Sequence, residues 1–233
     1  MLLGSYGLLA DDPAGFFRLT VLVMIALVTA ITIHEFSHAM VANSLGDNTA
    51  RRLGRLSLNP IKHLDLGGAI MMFIAGFGWG KPVPVDQHQL SRGHTDTALV
   101  AVAGPLSNLM FAFLLAIPFK TGILVPASLS LDRMTRVMTG GLSSGFADIL
   151  AIVIFFNLLL GVFNLVPLAP LDGSRVLVGL VPSGRISDYN KLQRSGPAIL
   201  VTVIMLDFAL DLGILWGIAG PVVRTLTTAA TGY

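Results

Sequence analysis

Residues 34 to 38 read His34, Glu35, Phe36, Ser37, His38, two imidazoles four positions apart with a carboxylate beside the first. On a helix, positions i and i+4 share a face one turn apart, so both rings can reach one metal ion. Glu35 projects beside that face, where it can take a proton from a water that the ion polarises. The chemistry implied is metal-assisted hydrolysis. Two histidines leave a hydrolytic zinc one protein ligand short, because one of its four positions is kept for water.

The sequence narrows the search for that third ligand. There is no cysteine, and of thirteen acidic residues Glu35 is the one glutamate, so neither a thiolate nor a second glutamate is available. A third histidine six residues past His38 is absent too, since Ser44 stands there. His63, His88 and His94 lie in loop segments, and His63 is the nearest rival. Asp172 is the other candidate, and the order of the membrane spans favours it.

Those spans follow from composition. Of 233 residues, 54% are hydrophobic and 12% charged, against roughly 25% charged in soluble domains. Residues 97–119 and 149–171 carry no charge over 23 positions each, enough for the ~20 residues a transmembrane helix needs. Residues 19–33 are likewise uncharged, and their helical pattern runs through His34 and Glu35 to about Leu45, placing three ionisable groups inside an apolar helix. Such groups are costly in lipid unless something binds them. Residues 196–223 form a fourth apolar stretch, interrupted by Asp207 and Asp211, which suits one tilted helix or a broken pair. Residues 66–80 are apolar but short and rich in glycine and alanine, better matched to a re-entrant loop or hairpin than to a span. The apolar residues 1–10 have neither a basic start nor a clean cleavage site and are read as uncleaved.

The expected fold is therefore all-α and polytopic, with about 4–6 transmembrane helices and a re-entrant loop or β-hairpin after the helix of His34. One integral-membrane domain fills residues 1–233, with its core at about 16–180 and a C-terminal membrane segment at about 195–223. If the first span runs inward, ten basic residues fall on inner loops and five outside, which places the inner loops in the cytoplasm. The first and third spans then travel in one direction and bring His34, His38 and Asp172 toward a common depth on the cytoplasmic side. A helix-capping or turn role after Pro170 is the competing reading for Asp172. A net charge of +2 without a Lys/Arg-rich tract gives no footprint for nucleic acid, the lipid bilayer is the expected surroundings, and nothing sets an oligomeric state.

The paired motifs resemble the site-2 protease family of intramembrane metalloproteases. Asn164, Pro167, Asp172 and Gly173 match its second signature, and Gly54, Asn59, Pro60 and Asp65, then Gly78 to Pro84, then Gly104, Pro105 and Asn108 agree as well. The resemblance covers about residues 30–180 and implies one zinc per chain on His34, His38 and Asp172, with Glu35 activating the water. It also implies that Asn164 hydrogen-bonds the substrate backbone or the oxyanion, and that the re-entrant segment, at Gly67 and Gly68, lies along the substrate path. The implied substrates are transmembrane proteins, membrane-tethered regulators among them. Ala169 stands where the family commonly has a proline or bulky residue, and neither a PDZ nor a cystathionine-synthase-like domain is present, so a minimal core is expected. A metal transporter or channel built on intramembrane His and Asp, with Asp207 and Asp211 in the ion path, is the alternative; it has no need of Glu35 between two ligand histidines.

Overall fold

The computed structural model describes residues 11–75, 78–125 and 142–233, and the regular elements among them are all helical. The main helices are α1 (Pro13–Ser44), α2 (Leu66–Ala75), α3 (His94–Leu115), α4 (Leu142–Asn164), α5 (Asp172–Val178), α6 (Ile186–Arg194), α7 (Gly196–Leu210) and α8 (Ile214–Thr231). Residues 1–10, and the outer Arg133 and Arg136, lie outside the described residues.

Helix α1 starts where Asp12 accepts the Gly15 N–H at 2.9 Å and Pro13 fills a first-turn position that needs no N–H. Its 32 residues extend about 48 Å at 1.5 Å per residue, more than the ~30 Å hydrocarbon core. Among the described residues three helices are long and apolar enough to cross a membrane: α1, α3 with its short continuation to Lys120, and α4 from Gly145.

These three pack on one another through small side chains. Ala26 and Ala30 of α1, Ala101 and Ala112 of α3, and Ala147 and Ala151 of α4 are all buried. In lipid, small residues let helix backbones approach closely, which is where association energy comes from. Cross-contacts set the directions. Val100 of α3 meets His38 while Asn108 meets Ala30, so α3 is antiparallel to α1. Ile152 and Phe156 pack with Leu19, Leu22, Val23 and Ala26, while Asn157 reaches Asn108 at the level of Ala30, so α4 is parallel to α1. The expected common direction of the first and third spans is what forms.

Helix α4 ends at Asn164, seven positions before the end of the uncharged run. Pro167 and Pro170 cause this: neither can donate to a helix, and each pushes its preceding residue into extended geometry. Residues 66–80 turn out to hold a ten-residue helix, α2, about 15 Å long and too short to cross. Asp65 accepts the Gly68 N–H at its start, and Gly80 returns to pair antiparallel with Leu64. Among the described residues, the two ends of the segment meet through this one bridge and no hairpin ladder forms.

The fourth apolar stretch is the broken pair, α7 and α8. Asp211 (φ 49°) and Gly213 (φ 65°) take left-handed conformations between them, and the Asp207 carboxylate accepts the Ile214 N–H at 2.5 Å. These aspartates shape a helix break.

Candidate metal centre

Within α1, the His34 and His38 side chains are 7% and 10% exposed, and Asp172, the first residue of α5, is 12% exposed. Asp172 is not the N-cap of α5, a position held by Leu171, but lies in its first turn. Its Oδ2 instead lies 2.9 Å from His34 Nε2 and 3.2 Å from His38 Nε2. Among the described residues these three form the one cluster able to hold a metal, their ligand atoms all within 4.8 Å of one another.

Surrounding hydrogen bonds fix which ring nitrogens carry protons. His38 Nδ1 faces the Val100 carbonyl at 2.7 Å, an acceptor only, so that nitrogen donates. His34 Nδ1 faces Asn108 Oδ1 at 2.7 Å, and the orientation of that amide is itself determined. Asn157 Nδ2 donates to Val153 O at 2.8 Å, which turns Asn157 Oδ1 toward Asn108 Nδ2 at 2.9 Å. Asn108 Nδ2 also donates to Ala30 O at 2.9 Å, leaving its oxygen for His34. In the neutral rings that bind a metal, both Nε2 atoms would then present lone pairs toward Asp172 Oδ2. Three acceptors converging with no proton between them repel, and a cation among them removes the conflict. Zinc–nitrogen distances of about 2.0–2.1 Å in a tetrahedral site imply ligand atoms about 3.3 Å apart, close to the spacings found.

The remaining expected residues are placed as follows. Glu35 is half-buried, its Oε2 accepting the Val83 N–H at 2.8 Å. That bond ties it to the chain just after Gly80. Asn164, at the end of α4, donates to Leu160 O at 3.0 Å within its own helix. Gly67 and Gly68 open α2 against Trp79; a Cβ on Gly68 would collide with the Trp79 backbone. His63, the rival ligand, is fully buried and apart from the pair, its Nε2 bonded to Ser57 O at 2.6 Å.

Three contributors were not assigned from sequence. Asn108 and Asn157 build the relay behind His34, and Gly104 of α3 lies flat against both rings, a Cβ there falling 2.8 Å from His34 Cε1. Asn108→Leu should weaken zinc affinity about 10–100-fold, as loss of an outer-shell partner does elsewhere; chelator competition on the purified protein measures it. An unchanged affinity would mean that Asn108 does not hold the ring.

Comparison with known proteins gives the family. The model of peptidase family M50 matches residues 22–206. The chain is 39% identical over 193 residues to a Bacillus subtilis protein named "Putative zinc metalloprotease YwhC", covering 83% of each. Proteins named "Putative zinc metalloprotease Rip2" are also similar: that of Mycolicibacterium smegmatis is 28% identical over 73% of this chain and 62% of the relative. The Mycobacterium tuberculosis protein is 31% identical over 71% of this chain and 60% of its own length. The chain thus matches less than two thirds of each Rip2 relative. No solved structure matches it. The chain belongs to peptidase family M50, the site-2 protease family of membrane zinc metalloproteases that its two motifs resemble.

Proposed function

We propose that this protein is an intramembrane zinc endopeptidase that hydrolyses peptide bonds in or near the transmembrane segments of membrane proteins, with membrane-tethered regulators among its substrates. The observation that carries this reading is the position of the His34, His38 and Asp172 cluster inside a bundle of three helices of spanning character. His38 lies six residues before the end of α1, about 9 Å along the helix axis, so the ligands belong to the body of this apolar helix and not to its tip, which supports an intramembrane site. The distribution of basic residues, ten against five, supports an active site toward the cytoplasm.

His34, His38 and Asp172 would hold the metal. Bound zinc supplies a Lewis acid that brings the pKa of water toward 7 and polarises the scissile carbonyl. Glu35 takes the proton of the attacking water and passes it to the leaving amine. With Oε2 accepting from Val83, Oε1 is the oxygen left for that transfer. Asn164 serves the substrate backbone or the oxyanion, a contribution of about 2.7–4 kcal/mol where such donors have been removed. Gly67 and Gly68 line the substrate path, their missing side chains keeping α2 close to Trp79. A substrate helix must unwind locally, because an intact helix keeps its amides in internal hydrogen bonds.

The Asp207 carboxylate accepts the Ile214 N–H at the start of α8, which supports a helix-break role for it over a place in an ion path. The test is reconstitution in liposomes with a reporter carrying one transmembrane segment, followed by mass spectrometry of the products. The expected cut falls within or next to that segment, is stopped by a chelator and returns with zinc. Cleavage confined to soluble, unfolded protein would overturn the intramembrane reading.

A further inference from the structure

We propose that Gln193 of α6 is a positioning residue for Asp172, holding the loop that delivers this carboxylate to the histidine pair. The inference rests on Asp172 being a zinc ligand.

Asp172 follows a seven-residue connection from Asn164. Inside it, Leu168 N–H bonds Val166 O at 2.8 Å and Leu171 N–H bonds Leu168 O at 2.9 Å. These bonds are local and shape the turn, but they do not fix it relative to α1. Pro167 and Pro170 have no N–H to add. The remaining donor between the two prolines, Ala169 N–H, goes to Gln193 Oε1 at 2.7 Å, and Gln193 Nε2 donates to Pro167 O at 3.3 Å. A neutral amide can accept from one backbone group and donate to another at a fixed spacing, which an apolar side chain cannot.

Two neighbouring contacts strengthen the grip. One turn earlier on α6, the Tyr189 hydroxyl donates to Ser174 O at 2.7 Å. Just past α6, Gly196 comes so close to the loop that a Cβ would stand 2.7 Å from Ala169 O and 2.8 Å from Ala169 Cβ. Helix α6 thus holds the chain on both sides of Asp172, at 167–169 before it and at Ser174 after it. Tyr189 and Gln193 are four residues apart and share the face turned to the loop, while Lys191 and Arg194 are exposed. Site geometry tolerates errors of only about 0.5 Å, so slack in this tether should register at the metal.

Two substitutions separate the tether from bulk. Gln193→Met keeps the length and loses both hydrogen bonds, whereas Gln193→Glu keeps an acceptor for Ala169 N–H. Wild type, both variants and Asp172→Ala are purified in detergent with zinc, and retention is measured by competition with a chromophoric chelator. Gln193→Met should hold zinc about 10–100-fold more weakly, the range for outer-shell partners, with Gln193→Glu, which keeps the Ala169 bond but loses the donor to Pro167 O, weakened clearly less, and Asp172→Ala losing most of its metal. The zinc-free form of Gln193→Met should unfold at the wild-type temperature. Wild-type retention in Gln193→Met beside loss in Asp172→Ala overturns the inference and leaves the metal site standing. Full retention in Asp172→Ala overturns the ligand assignment itself. Equal weakening in Gln193→Glu, or an equal fall in zinc-free stability, also overturns the tether.

Discussion

Glu35→Gln is expected to lower peptide hydrolysis by about 10²–10⁴-fold, the usual contribution of a positioned acid–base group, while zinc content stays at the wild-type level. The substitution suits this site because the carboxylate does two separable things. One oxygen accepts the Val83 N–H and so ties α1 to the chain just after Gly80. The other is available to take a proton. Glutamine retains a carbonyl oxygen that can accept from Val83, so the tie survives, but at neutral pH its amide takes no proton. Glu35→Ala would remove both and confound them. Cleavage of a reconstituted membrane substrate, measured beside metal content, reads both functions. Wild-type turnover by the glutamine variant would exclude Glu35 as the base.

What was legible in the sequence follows from which residues are anomalous in lipid. His34, Glu35 and His38 stand out because ionisable groups in an apolar helix demand a reason, and Asp172 because the span order delivers it to the same side. Asn108 and Asn157 carry no charge, so they left their spans looking uninterrupted. Yet both are fully buried, and buried amides must find partners. A polar residue in the middle of an uncharged run was the available signal, but it could not say which histidine nitrogen it would serve. Gly104 was visible only as part of a motif, because its role lies in an absent side chain and in the closeness of another helix. Helix ends were misjudged where composition ignores backbone chemistry. The uncharged run continued to Leu171, but the prolines at 167 and 170 stop α4 at Asn164 and free the loop that presents Asp172. The break at 211–213 was narrowed to two possibilities, and left-handed backbone at Asp211 and Gly213 selected the broken pair.

Gly104→Ala should abolish tight zinc binding although residue 104 contributes no ligand. An added Cβ would meet His38 Nε2, would lie 2.6 Å from His38 Cε1 and 2.8 Å from His34 Cε1, all well inside van der Waals contact. The rings cannot easily step aside. His38 is bonded to Val100 O, one turn away on the same helix as the intruding methyl, and His34 is held by Asn108 from that helix too. Relief requires α1 and α3 to separate or the rings to rotate off their acceptors, and either change pulls the Nε2 atoms away from Asp172. The overpacking alone costs about 1–3 kcal/mol of stability. Zinc affinity should fall further than the ~10–100-fold typical of outer-shell changes, because both histidine ligands are displaced together. Gly161→Ala is the matched control: its Cβ would lie 3.0 Å from Leu109 Cδ2 and from Pro105 O, against the same helix but away from the ligands. Both variants should unfold at lower temperature, and only Gly104→Ala should release its metal to a chelator. Equal zinc retention in the two would mean that the histidine rings can yield without losing Asp172, and that the close approach of α3 is not what sets the metal site.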